Sequence, residues 1–83
     1  MRVRTSEDFR KAYKRLKKRH KSLQQDFERL LYSLLQNPMQ GVELEGNARK
    51  VRLAITSKGR GKSGGARVII RVRIVADELF LVL

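Results

Sequence analysis

Residues 47–75 constrain the fold of this chain more than any other stretch, because apolar residues and cations alternate there with a period of two. Val51, Leu53 and Ile55 fall on one side of an extended backbone, with Lys50 and Arg52 on the other. Val68, Ile70, Val72 and Ile74 repeat the pattern against Arg67, Arg71 and Arg73. Paired antiparallel, the two strands put five cations on one face. The stretch holds nine Lys or Arg and no Asp or Glu, so little within it neutralises that face. Opposed like charges weaken a sheet by tenths of a kcal/mol per pair, up to about 1. Such a concentration implies a polyanionic ligand, and this face is the candidate site. A one-residue slip would turn the cations into the core, so burial enforces the pairing.

Eighty-three residues suffice for a single domain, 1–83, with one small core. The net charge of +12 narrows the partners to nucleic acid, an anionic membrane or an acidic protein. Residues 1–46 carry 11 basic and 6 acidic side chains; residues 47–83 carry 9 and 2, so the second half holds the less relieved field. The chain has no Cys, hence no disulfide framework and no thiolate metal site, and His20 is its one histidine. A zinc centre and a paired-histidine ribonuclease mechanism are thereby excluded as expectations, and no cofactor is expected. The longest wholly apolar run, Leu79–Leu83, is far too short to cross a bilayer, and no signal-like segment opens the chain. A soluble cytoplasmic protein without membrane partners is expected.

Met1–Arg4 reads as a short edge strand with Val3 turned inward. Thr5 or Ser6 can cap a helix with Glu7 and Asp8 in its first turn, and Phe9, Ala12, Tyr13 and Leu16 form its apolar side. Its other side is basic: Arg10, Lys11, Lys14, Arg15, Lys17, Lys18, Arg19 and Lys21 are either a contact surface for nucleic acid or an acidic partner, or a solvated helix face. His20–Ser22 is a turn, and Ser22 with Gln25 has the capping-box spacing that starts a second helix. Its stripe of Leu23, Phe27, Leu30, Leu31, Leu34 and Leu35 is core, ended by Asn37, Pro38 and Gly41. Glu43 and Glu45 fall in the connection that follows and read as loop residues rather than general bases. Thr56–Gly65 is a basic, glycine-rich loop in which Ser57, Lys58, Arg60, Lys62 and Ser63 could wrap a phosphate chain, against the plainer reading of a hairpin loop. Gly61-Lys62-Ser63 imitates the end of a P-loop, but Thr56 stands where that motif needs glycine, and a strand follows instead of a helix. Asp77 and Glu78 turn the chain into a closing strand, Leu79–Leu83. The expected fold class is α+β, with an N-terminal helical hairpin packed on one face of a small, mainly antiparallel sheet.

Cleavage of RNA through its own 2′-hydroxyl requires a proton acceptor, cations to hold the pentavalent phosphorane, and a donor for the leaving 5′-oxygen. Lys50 is the candidate acceptor, because neighbouring Arg49, Arg52, Arg67 and Arg71 disfavour its carrying a proton. Arg52 and Arg67 suit bidentate clamping of phosphate. Arg49, Lys58, Arg60, Lys62, Arg71 and Arg73 extend the expected RNA track. With no aromatic residue expected on the basic face, free single strands lack a stacking platform, and a ribosome presenting the message would remove that need.

The succession of a basic helical hairpin, Asn37-Pro38, Ala48-Arg49-Lys50-Val51-Arg52 and Gly59-Arg60-Gly61-Lys62-Ser63-Gly64-Gly65-Ala66-Arg67-Val68-Ile69 resembles RelE-like toxins of bacterial type II toxin–antitoxin systems, in the RelE/ParE superfamily near the HigB branch. The resemblance spans almost the whole chain. It implies a microbial-ribonuclease-like fold, metal-independent endoribonuclease cleavage of mRNA in the ribosomal A site, inhibition of translation, and neutralisation by an acidic antitoxin. Lys50 and Arg52 match the family's first basic pair, and Arg67 its phosphate-stabilising arginine. Two features depart from the pattern. Ile70 is aliphatic where an aromatic is common, and Leu83 is not followed by the family's short segment with an aromatic or basic residue, so a shortened, weak or inactive toxin is an expected alternative. Two more are a ParE-like inhibitor of DNA gyrase, indifferent to Lys50 and Arg52, and a non-catalytic RNA- or ribosome-binding protein.

Overall fold

The structure, a computed structural model, describes residues 1–58, 65–73 and 75–82, and of Lys58 the backbone alone. Its class is α+β. Strand β1 (Arg2–Thr5) leads into helix α1 (Glu7–Arg19), whose start is fixed by Ser6: the Phe9 amide donates to the Ser6 hydroxyl over 3.0 Å. Phe9 is buried, and Tyr13 and Leu16 pack partly buried against the core, while α1's basic residues face water. Lys17, Lys18 and Arg19 close its last turn, where cations offset the negative end of the helix dipole.

Helix α2 (Leu23–Gln36) follows after the three residues His20–Ser22, the turn expected there. The capping box expected of Ser22 and Gln25 does not form. Ser22 is itself helical in backbone angle and makes no cap with its side chain. Its hydroxyl instead donates to Asp26 Oδ2 over 2.7 Å and accepts from the Ser57 amide over 2.8 Å. Leu23 and Leu34 are fully enclosed and Phe27, Leu30 and Leu31 partly so, but Leu35 at the end of the stripe remains 40% exposed.

Among the described residues, five strands form one sheet in the order β1-β5-β4-β3-β2, with β2 at Val42–Glu43, β3 at Ala48–Leu53, β4 at Ala66–Arg73 and β5 at Glu78–Leu81. β1 runs parallel to β5, and every other neighbouring pair is antiparallel. The expected antiparallel pairing of the two basic strands is therefore present, with Val51 opposite Val68 and Arg52 opposite Arg67. Val51, Leu53, Val68, Ile70, Val72, Leu79 and Leu81 are buried on the face that receives the two helices, together with Phe9, Leu23 and Leu34. Burying each large apolar side chain contributes roughly 1.5–3 kcal/mol, so this layer holds the register.

Several boundaries differ from expectation. Ile55 is buried, but β3 ends at Leu53. The turn after β4 spans residues 75–77, and Glu78 belongs to the closing strand rather than to the turn. β1 is an edge strand as expected, yet Val3 is 38% exposed, because β1 pairs with β5 alone among the described strands. Ile74 and Leu83 lie outside the described residues.

Candidate nucleic-acid interface

The open face of the sheet is read from its register. Lys50 pairs with Ile69, Arg52 with Arg67 and Ala48 with Arg71, so Lys50, Arg52, Arg67 and Arg71 share the face turned away from the helices. Arg52 and Arg67 stand directly across from each other. Directly opposed residues have Cβ atoms about 4.5–5.5 Å apart, a span that one phosphate group can bridge. Lys50 lies one step along the same face, diagonal to both Arg67 and Arg71. Arg52, Arg67 and Arg71 are exposed and Lys50 is half-buried. Among the described residues, none of the four makes an ion pair. Arg71 is steered by a 2.8 Å hydrogen bond from its Nη1 to the Gly46 carbonyl.

Of the expected RNA-contacting arginines, Arg49 lies on the other face and Arg73 is engaged by an acidic partner. Arg49 pairs with Ile70 and so projects to the opposite face from Lys50. Its Nε donates to the Gln40 carbonyl over 2.7 Å and its Nη2 to that of Gly41 over 3.2 Å, which ties down the connection after α2. Gly41 at φ +85° is needed there: a Cβ would sit 2.3 Å from the Lys50 carbonyl oxygen. Arg73 does share the open face, but it is not an unrelieved charge. It sits 3.4 Å from Glu78, its partner across β4 and β5. Arg60, Lys62 and Ser63 lie outside the described residues, as does the side chain of Lys58.

Glu78 is the residue that sequence reasoning missed. Only 2% exposed, it receives Arg73 from β4 and, at 3.8 and 3.5 Å, Arg2 and Arg4 from β1. A carboxylate this enclosed requires such partners, since an unpaired buried charge is strongly unfavourable. Phe80 also lies on this face, opposite Arg71, and corrects the expectation of a face without aromatics. The guanidinium of Arg73 is 5.0 Å and that of Arg4 6.0 Å from its ring centroid. The alternation of Arg2, Val3 and Arg4, and of Glu78, Leu79 and Phe80, carries the signal for this cluster, but its assembly depends on β1 pairing with β5.

On the helix side, Asp26 performs a second unforeseen task. It is 5% exposed, and its carboxylate accepts from the Thr56 amide over 2.8 Å, from Thr56 Oγ1 over 3.1 Å and from Ser22 Oγ. Burial pushes its carboxyl up, but these hydrogen bonds and the nearby Arg29 outweigh burial and hold it below the ordinary carboxylate value. The start of α2 is thereby joined to the turn that follows β3. Burial of Tyr13, and to a smaller degree the charge of Glu28, pushes its phenol up. Tyr13 packs with Phe9 and Phe27 on the far side of the sheet from Lys50.

Among the described residues, no three His, Cys, Asp or Glu side chains gather as metal ligands, and no helix is long and apolar enough to cross a membrane. The chain matches no protein-family model, no curated protein and no solved structure.

Proposed function

We propose that this protein is a RelE-like toxin of a type II toxin–antitoxin system, a ribosome-dependent mRNA endoribonuclease with the fold of that family. The observation that carries the reading is the pairing of Arg52 with Arg67 on an open face, with Lys50 beside them. Two guanidiniums held opposite each other fit a phosphate that gains charge as it becomes pentavalent. Lys50 is the side chain placed to take the proton of the 2′-hydroxyl. The 2′-oxygen attacks phosphorus, the bond to the 5′-oxygen breaks, and that oxygen takes a proton from water, leaving a 2′,3′-cyclic phosphate and a 5′-hydroxyl. Arg71 continues the cationic row along the strand toward the neighbouring phosphate. The same face, with its unrelieved cations, suits an acidic antitoxin that competes with RNA, and a cytoplasmic location follows from the ribosomal target.

The test is primer extension on mRNA held in translating ribosomes, with the parent chain and with Lys50→Ala, Arg52→Ala and Arg67→Ala. Cuts within the A-site codon that the substitutions abolish are expected. Ribosome binding by the parent without any cut would sink the nuclease. Phe80 favours a second reading, RNA binding without chemistry: a ring flanked by guanidiniums is a stacking surface for an unpaired base. That reading requires affinity for free RNA that falls steeply with salt, and no product.

A further inference from the structure

Helix α2 turns one side to the core and the other to water, and that outer side differs in charge from its neighbour. Helix α1 carries seven Lys or Arg against Glu7 and Asp8, whereas α2 carries one cation, Arg29, against Asp26 and Glu28. Arg29 lies 3.7 Å from Asp26. Among the described residues, Glu28 makes no ion pair, and Gln24 donates to it over 3.5 Å. Gln25, Glu28, Arg29 and Tyr32 are all exposed and together line one shallow depression. Their spacing, i, i+3, i+4 and i+7, keeps them on one face over two turns. Tyr32 at the end of this row is 69% exposed, and Leu35, one turn on, is 40% exposed. Tyrosine and arginine are enriched among the side chains that anchor protein interfaces.

The order of these residues makes the face complementary to itself. Two copies of α2 laid antiparallel, with a two-fold axis between positions 28 and 29, set Glu28 of each copy against Arg29 of the other. The same register sets Tyr32 of each against Gln25 of the other, so every contact occurs twice, as a closed dimer requires. Helix axes crossing at about 20° hold such a register over two turns. On α1 or on the open sheet face, a second copy of a chain of net charge +12 would meet like charge. We propose that the outer face of α2 is a two-fold interface at which a second copy of this chain docks, its α2 antiparallel to the first. The helices cover the other side of the sheet from the Arg52–Arg67 pair, so this dimer leaves both open faces free.

The test is sedimentation equilibrium of the full chain from micromolar to millimolar concentration. A monomer–dimer equilibrium that stops at two copies is expected. Tyr32→Ala should weaken it about tenfold or more, the loss of an interface anchor. Glu28→Arg and Arg29→Glu should each abolish it alone, because each sets like charges across the axis. Mixing these two variants in equal amounts should restore a dimer, since every facing pair is then of opposite sign. Circular dichroism checks the fold of Arg29→Glu, because Arg29 also neighbours Asp26. Tyr32 lies outside the core cluster, so Tyr32→Ala reads the interface whatever Arg29→Glu does to folding. A parent chain that stays monomeric at millimolar concentration would overturn the proposal. So would a dimer that Tyr32→Ala and Glu28→Arg leave intact, or association that continues past two copies, the mark of α2 docking head-to-tail on the basic α1.

Discussion

The outer side of α1 and the open face of the sheet are both strongly basic, but they are built differently. Arg10, Lys11, Lys14, Arg15, Lys17 and Lys18 lie on a helix whose other side is anchored by Phe9 and Leu16. Their charge is partly relieved locally: Lys11 meets Glu7 at 3.4 Å, Arg10 donates to the Thr5 carbonyl, and the last-turn cations suit the helix dipole. On the sheet, Arg52 faces Arg67, another cation, at the fixed spacing of a strand pair. The number of charges does not separate the two surfaces. What separates them is that the sheet accepts an electrostatic cost which its fold does not require.

Substitutions can break that contrast, and the largest effect is expected in catalysis. Under the proposed nuclease function, Arg67→Ala should lower A-site cleavage by about 10²–10³-fold, the loss typical of removing one preorganised donor to a developing anion, while Arg15→Ala on the helix should change it less than Arg67→Ala does. A comparable loss from both would erase the distinction. Next in size is the link between the helical hairpin and the sheet. Asp26→Ala should cost about 2–3 kcal/mol in denaturant unfolding, because the Thr56 amide and the Ser22 hydroxyl lose a charged acceptor. The pH dependence has a definite sign. The folded carboxyl of Asp26 titrates below its unfolded value of about 3.9, so its contribution is complete above that pH and disappears as pH falls through the folded value. Stability curves of the parent and Asp26→Asn should therefore converge on acidification.

Smaller effects sharpen the comparison. Arg52→Thr should stabilise the free protein by tenths of a kcal/mol, up to about 1, through relief of its opposition to Arg67. Lys14→Thr on the helix should give no such gain in thermal unfolding. In single-stranded RNA binding, Arg71→Ala should flatten the logarithmic salt dependence by about 0.7 if its guanidinium contacts a phosphate. An unchanged slope would remove Arg71 from the track.

Much of this was legible in the chain. The alternation about Val51 and Val68 predicts both the register and the face of Lys50, Arg52 and Arg67, since a period of two leaves a buried strand little freedom. Ser6 is visible as a cap. Arg49 was also legible, because it shares parity with Val51, and grouping it with Lys50 put adjacency in sequence ahead of the pleat. Asp26 falls three residues after Leu23 on the apolar stripe, so its burial could be anticipated, but its partner Thr56 could not. The least legible part was the position of β5. Strand order is set by packing between distant segments, and no local pattern in Leu79–Leu81 says that it lies between β1 and β4.

That placement bears on how the chain assembles. The amide of Ser6 donates to the Leu81 carbonyl, and the Ser6 hydroxyl donates to the Val82 carbonyl across a separation of 76 residues. The strand that comes latest in sequence is the one on which the earliest depends, so the sheet cannot grow outward in chain order. Until β5 is seated, β4 presents a bare edge and β1 has no neighbour. Contacts of such long range carry the full entropy of loop closure before they yield any stabilisation, which slows folding. Arg73 meets Glu78 across the local β4–β5 hairpin, whereas Arg2 and Arg4 reach it only when β1 pairs with β5, so an injury to β5 unfastens β1 with it.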